Sequence, residues 1–348
     1  MSAALIAKLR GRIPGQASTL GWAALVVGWL LFGLLGSRYA VGVGVLALAI
    51  VGLATAFNMV YGFTGLLSLA QAGLWGIGGY TSALLVTRLG LPIWAAVVAA
   101  MLFGGVVALL LGHPSLRLSK PAFIIVSLSF TMLVQIIARG WVDLTRGPLG
   151  IPGLPAPSLS WGGLDIEFDR PRGTYFLFGA LVIVVVLIFW QLTRSRIATA
   201  LLAVRDDPAL AESLGLKVHR IRLGVFVVAG TVTSMLGGLF VFHLSIVDPS
   251  IFGIFYVQAI VISVVVGGRA SFWGAIVAAI AFVALPEVFR MTGEARLVAF
   301  GAVLILVTFF LPNGVAGLVR KRVRGRWGTS GRGGRRVRPE ELDRSVAR

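Results

Sequence analysis

The chain has 348 residues, 57% of them hydrophobic and 13% charged, with a mean hydropathy of +0.94. A soluble domain carries about a quarter charged residues, so the composition excludes one, and the absence of cysteine excludes disulfides and thiolate metal sites. The net charge of +18 could serve nucleic acid, but no basic module with interleaved aromatics is present, and the charge follows a different rule.

Residues 1–19 are a basic amino-terminal segment. Lys8, Arg10 and Arg12 precede an apolar stretch without an obvious cleavage site, which reads as a retained first span. From Leu20 to Gly317 apolar runs recur, each long enough to cross a hydrocarbon core of roughly 30 Å. The runs are continuous rather than alternating, so they predict helices and not a barrel. We draw ten spans, at 20–37, 40–61, 66–88, 92–111, 121–139, 174–193, 222–245, 252–267, 272–288 and 297–317. The eighth and ninth are short, and a re-entrant pair there would leave eight crossings. The expected fold is therefore an all-α, polytopic membrane protein of 8–10 helices, ten being the count drawn, with both termini on the cytoplasmic side.

Charge supports that sidedness. The segments placed inside are 1–19, 112–120, 194–222, 267–271 and 318–348. They hold 23 Lys/Arg and 6 Asp/Glu, against 8 and 7 elsewhere. This is the positive-inside asymmetry, and it assigns the basic surplus to lipid headgroups and positioning. The outer loop 140–173 contains Pro148, Pro152, Pro155, Pro157 and Pro171 with Trp141 and Trp161. Proline makes it an ordered rim rather than a helix. It serves either as a plain connection or as a surface for a soluble partner. The tail 318–348 is basic, poor in apolar residues and expected to be disordered.

The cytoplasmic loop 194–221 holds the most informative stretch. Asp206 and Asp207 offer carboxylates to free backbone donors. Pro208 suits a first helical turn, Glu212 favours the helix dipole, and Gly215 supplies a left-handed exit. Leu210 and Leu214 share a face. Pro208–Leu214 is thus a helix of about two turns, too short to stand alone. It either lies on the bilayer or seats in a groove of a soluble partner.

The stretch from Arg205 to Gly215 resembles the coupling loop of ABC-importer permeases, in particular the branched-chain amino acid permeases, with Ala211-Glu212-Ser213 where the family has Glu-Ala-Ala. Three more blocks are similar to that family. They are Gly62 through Ala72 continuing to Gly76-Ile77-Gly78-Gly79-Tyr80, then Leu116-Arg117-Leu118 with Ser127-Leu128, and Val266-Gly267-Gly268 with Ser271 and Gly274. The first block points to the LivM-type member of the permease pair. The resemblance implies the ABC-importer permease fold in a bacterial inner membrane. It also implies a LivH-type second permease, two ABC ATPase subunits and a periplasmic substrate-binding protein. Arg205, Asp206, Asp207, Pro208, Ala211, Glu212, Leu214 and Gly215 would then form the ATPase-coupling helix.

Gly65-x-x-Ser68 and Gly268-x-x-Ser271 each open a span from the inside, a faint internal echo. Interrupted helices of this kind surround transport sites, and glycine-rich blocks equally serve plain helix packing. Asn58, Thr64, Ser68, Gln71, Tyr80 and Ser127 are candidates either to line a pathway or to join helices. His113, His219 and His243 form no metal cluster, and no Gly-x-x-x-x-Gly-Lys-Ser/Thr loop occurs. The spans hold almost no mid-depth ionisable group, unlike ion-driven carriers. No cofactor or catalytic group is expected, and energy would come from a partner. The alternatives are a permease for another small solute (a sugar, an amide or urea) and an integral-membrane lipid transferase.

Overall fold

The computed structural model describes residues 15–161, 164–168 and 171–288. The tenth predicted span, the basic tail and most of the amino-terminal segment lie outside these residues. Helices α1 (Gly15–Leu35), α2 (Arg38–Thr64), α3 (Ala70–Leu89), α4 (Ile93–Ser115) and α5 (Lys120–Gly140) follow one another through short turns. Ser37 caps α2 by accepting from the Ala40 amide. Gly65, at φ +75°, ends α2 by donating its amide to the Tyr61 carbonyl. Among the described residues the predicted outer loop then carries a helical turn α6 (Val142–Thr145), a 3-10 turn (Gly147–Leu149), the strands β1 (Ile151–Pro152), β2 (Ser158–Trp161) and β3 (Leu164–Glu167), and no long helix. β2 and β3 form an antiparallel hairpin with Ser158 opposite Glu167.

Helices α7 (Arg172–Arg194), α8 (Arg196–Asp206), α9 (Pro208–Ser213) and α10 (Val218–Leu244) come next. After β4 (Ile246–Val247), which pairs antiparallel with β1, come α11 (Ile254–Gly267) and α12 (Phe272–Val288). Each predicted span up to the ninth therefore coincides with a helix. Among the described residues, six helical stretches are long and apolar enough to cross a membrane: α2, α4, α5, α7, α10 and Pro249–Gly267. Gly21–Leu35 and Phe272–Glu287 are apolar but shorter.

The core is built on α2, α3 and α10. Gln71, Ser82 and its glycines make α3 less apolar than its neighbours, yet it is buried from Ala70 through Gly76. Its surroundings are other helices rather than lipid, which is where a polar span is tolerated. The contact of α3 with α10 is as close as backbones allow. A Cβ added at Gly78 would lie 2.0 Å from the Ser234 carbonyl oxygen, and one at Gly237 would lie 2.1 Å from that of Trp75. At this distance side-chain hydroxyls reach the opposite backbone. Ser82 Oγ donates to Gly238 O at 2.8 Å, and Ser234 Oγ donates to Leu74 O at 2.8 Å. Small residues and cross-helix hydrogen bonds replace the hydrophobic effect, which does not separate protein from lipid tails. The outward faces of α4 and α5 are apolar stripes, among them Leu102 and Leu110, then Ile125 and Ile136.

Two sets of turns gather at opposite ends of the bundle. At one end the Gly65 turn meets α8 and the turn between α11 and α12, where Asn58 Nδ2 donates to Ser271 O at 3.1 Å. At the other end β1 pairs with β4, Arg172 donates to Gly36 O at 3.2 Å, and Arg88 donates to the Asp143 and Leu144 carbonyls.

Candidate functional site: the exposed helix and its anchor

Helix α9 is set by its ends. Asp207 is extended, and its carboxylate Oδ1 accepts from the Ala209 and Leu210 amides at 3.0 and 3.1 Å. Pro208, at the first helical position, has no donor to lose. Gly215 adopts φ +85°, and Leu214 closes the helix as its carboxy-terminal cap. Asp206 does not share the capping. It ends α8 and takes an ion pair from Arg205 Nε at 3.0 Å. The two acids are adjacent in sequence but belong to different helices.

Six residues cannot hold a helix in isolation. Ala211 supplies the contact that holds this one: it is 1% exposed and packs against Val204 and Val218, with Leu216 and Ile221 around them. That orientation turns Leu210 and Leu214 outward, 58% and 66% exposed, with Glu212 also on the surface. The predicted pairing of the two leucines on one face is present, and that face is uncovered.

The helix before it was missed by the sequence reading. α8 begins at Ser195, whose hydroxyl accepts from the Ile197 amide, and buries Ala198, Leu201 and Val204. Spacings of three on one face, after a serine cap, were the available signal. α8 packs against α2. Arg205 is the joint. Its Nη1 donates to Gly62 O at 2.8 Å, and its aliphatic stem covers Gly65. So the Gly62–Gly65 block and the Arg205–Gly215 block, distant in sequence, meet in one structure. Arg269, in the turn between α11 and α12, lies over the Tyr61 ring at 5.0 Å and adds a third member.

The six polar candidates are all buried. Asn58 joins α2 to Ser271, as above. Thr64 Oγ1 donates within its own helix to Val60 O at 2.6 Å. Ser127 Oγ accepts from the Leu69 amide at 3.0 Å and fixes α5 to the start of α3. Gln71 Oε1 accepts from Thr233 Oγ1 at 2.8 Å. Tyr80 stacks on Phe252. Ser68 Oγ, Gln71 Nε2 and Tyr80 OH make no hydrogen bond among the described residues. The structure places Asn58, Gln71, Tyr80 and Ser127 in contacts between elements and Thr64 in a bond within α2.

A polytopic helical bundle that presents a short, capped, apolar-faced helix at the end bearing its basic loops has the form of a transport permease. Residues 39–310 match the family described as "Branched-chain amino acid transport system / permease component", and the chain belongs to that family. It is similar to the high-affinity branched-chain amino acid transport system permease protein LivM of Escherichia coli, 31% identical over 308 residues, 83% of this chain and 72% of the relative. The Salmonella typhimurium LivM is 30% identical over the same shares. The permease protein LivH of Salmonella typhimurium is 24% identical over 305 residues, 81% of this chain and 92% of the relative. No solved structure matches the chain. Membership places it among transport permeases rather than lipid transferases, and the greater likeness to LivM agrees with the first glycine block.

Proposed function

We propose that this chain is the LivM-type permease subunit of an ATP-driven importer for branched-chain amino acids or similar small polar compounds. In this reading it pairs with a LivH-type permease, stands on two ABC ATPase subunits and receives solute from a periplasmic binding protein. The basic segments set the end bearing α9 toward the cytoplasm. Ten crossings return both termini there, with the predicted tenth span supplying the last.

The observation that carries the reading is the uncovered Leu210–Leu214 face on a helix whose other side is anchored by Ala211 and Arg205. An ATPase groove that closes on ATP binding would take up the leucines and displace α9. Val204 and Arg205 would pass the movement to α2, and α10 follows directly after Gly215. Solute then crosses without any covalent step in this chain. The buried polar groups divide under this proposal. Asn58 and Ser127 hold elements in register through Ser271 O and the Leu69 amide, and Thr64 bonds within α2. Asn58 Oδ1, Ser68 Oγ, Gln71 Nε2 and Tyr80 OH are unpaired in this conformation, and those atoms gain partners when the helices reorient.

The test is assembly. Leu210→Asp with Leu214→Asp changes two exposed side chains and leaves the Ala211 contact in place. The variant should insert in the membrane and co-purify with the second permease, yet lose the ATPase subunits. Intact assembly and normal ATP-driven uptake by this double variant would show that α9 is not the docking element.

A further inference from the structure

At the outer end, α2, α10 and α11 diverge and leave a cleft of about 430 Å³, within the range of small-solute sites. Its walls are mainly aromatic and aliphatic, with Tyr39, Leu46, Phe240, Phe255 and Tyr256, and they include His243, whose Nδ1 is hydrogen-bonded to Thr174 Oγ1. One permanent cation, Arg38, stands on the rim. Among the described residues no carboxylate lies within ion-pair range of Arg38. Arg38 is one of the eight Lys/Arg that lie outside the inward-placed segments, against 23 within them. A guanidinium above an apolar, aromatic-walled cleft matches a solute with a carboxylate at one end and an apolar body. The π-faces of the aromatic walls also suit an ammonium group.

A second observation lies on α11. Gln258 sits near the middle of the 19-residue stretch Pro249–Gly267, and its side chain is exposed and makes no hydrogen bond among the described residues. An amide facing hydrocarbon at that depth is unfavourable, because lipid offers it no hydrogen-bond partner. The α11 surface, with Phe255 on the same side one turn nearer the cleft, is therefore not a lipid surface. Something polar or hydrated adjoins it.

We propose that this cleft is the receiving site of the transport pathway for a small amino-acid-like solute. Arg38 takes the carboxylate, and the Phe255–Gln258 face of α11 continues the path inward. The second permease closes the open side. The assignment rests on the importer reading above and adds the site and the chemistry that recognises the solute.

The absence of native cysteine makes the test direct. The complete transporter, with both permeases and both ATPases, is placed in lipid nanodiscs or proteoliposomes with its binding protein. Gln258→Cys should react with a membrane-impermeant methanethiosulfonate added from the outer side, and leucine with the binding protein should slow the reaction. Leu133→Cys, on the exposed apolar face of α5, is the lipid-facing control and should stay unlabelled. Arg38→Ala should lower leucine uptake about tenfold or more, as loss of one charge-assisted hydrogen bond implies. Arg38→Lys should restore part of it. Labelling of Gln258→Cys no faster than the control, or wild-type uptake by Arg38→Ala, would overturn the assignment. Failure of the wild-type complex to show any ATP-driven, binding-protein-dependent uptake would instead sink the importer reading beneath it.

Discussion

Arg205 makes two polar contacts of very different worth, and separating them tests how α9 is tied to the bundle. The first is the hydrogen bond from Nη1 to Gly62 O, 2.8 Å and partly buried. Hydrogen bonds from charged groups contribute about 1.5–3 kcal/mol. The second is the ion pair with Asp206, whose side chain is 67% exposed. Exposed pairs contribute about 0–1 kcal/mol. Arg205→Ala removes both contacts and the stem that covers Gly65, so it should destabilise the joint by about 2–4 kcal/mol. Asp206→Ala removes only the weaker one and should stay within about 1 kcal/mol. The assay is coupling, measured as solute taken up per ATP hydrolysed by the reconstituted complex, alongside the thermal midpoint of the purified permease pair. Arg205→Ala should lower the coupling ratio severalfold, and Asp206→Ala should leave it near wild type. Equal effects of the two variants would show that the Arg205–Gly62 contact does not carry the movement, and the proposed relay through α8 to α2 would be refuted.

Other positions follow from the same geometry. Gly78→Ala places a Cβ 2.0 Å from the Ser234 carbonyl, so α3 and α10 must part. Overpacking of about 1–3 kcal/mol should lower the thermal midpoint in detergent, whereas Gly42→Ala, whose added Cβ meets nothing within 4 Å, should be silent. Ser82→Ala deletes the bond to Gly238 O and should cost about 0.6 kcal/mol, the average for interhelical bonds in a membrane. A loss beyond about 2 kcal/mol would mean that the bond does more than join two helices. Asp207→Ala removes the cap of α9 and should destabilise that helix by about 1 kcal/mol, read as faster amide exchange at Ala209 and Leu210. Asp207→Asn, still able to accept from both amides, should recover most of the protection.

The parts of this fold that were legible in the sequence are those where one local rule decides. Apolar runs place the helices because lipid leaves backbone groups no other partner, and each described span fell where the hydropathy put it. Asp207, Pro208 and Gly215 gave the limits of α9 because capping acts over three or four residues. What could not be read depended on contacts across the chain. Asp206 and Asp207 look equivalent in sequence, and only the packing of α8 assigns one to a helix end and the other to a cap. Arg205 reads as one more cytoplasmic cation until Gly62, 143 residues away, supplies its acceptor. The glycines of α3 announced close packing but not its partner. The partner is α10, whose Gly237 and Gly238 stand opposite Trp75 and Gly78. That contact has a mechanical consequence. Two helices whose backbones already touch cannot slide past each other without breaking the Ser82 and Ser234 bonds, so α3 and α10 must move together. α10 begins next to α9, and α2 is held to α8 through Arg205. Under the proposed coupling, a displacement of α9 would therefore act on α10 and α3 together and on α2 through Arg205, while Asn58 and Arg269 tie α2 to the turn between α11 and α12.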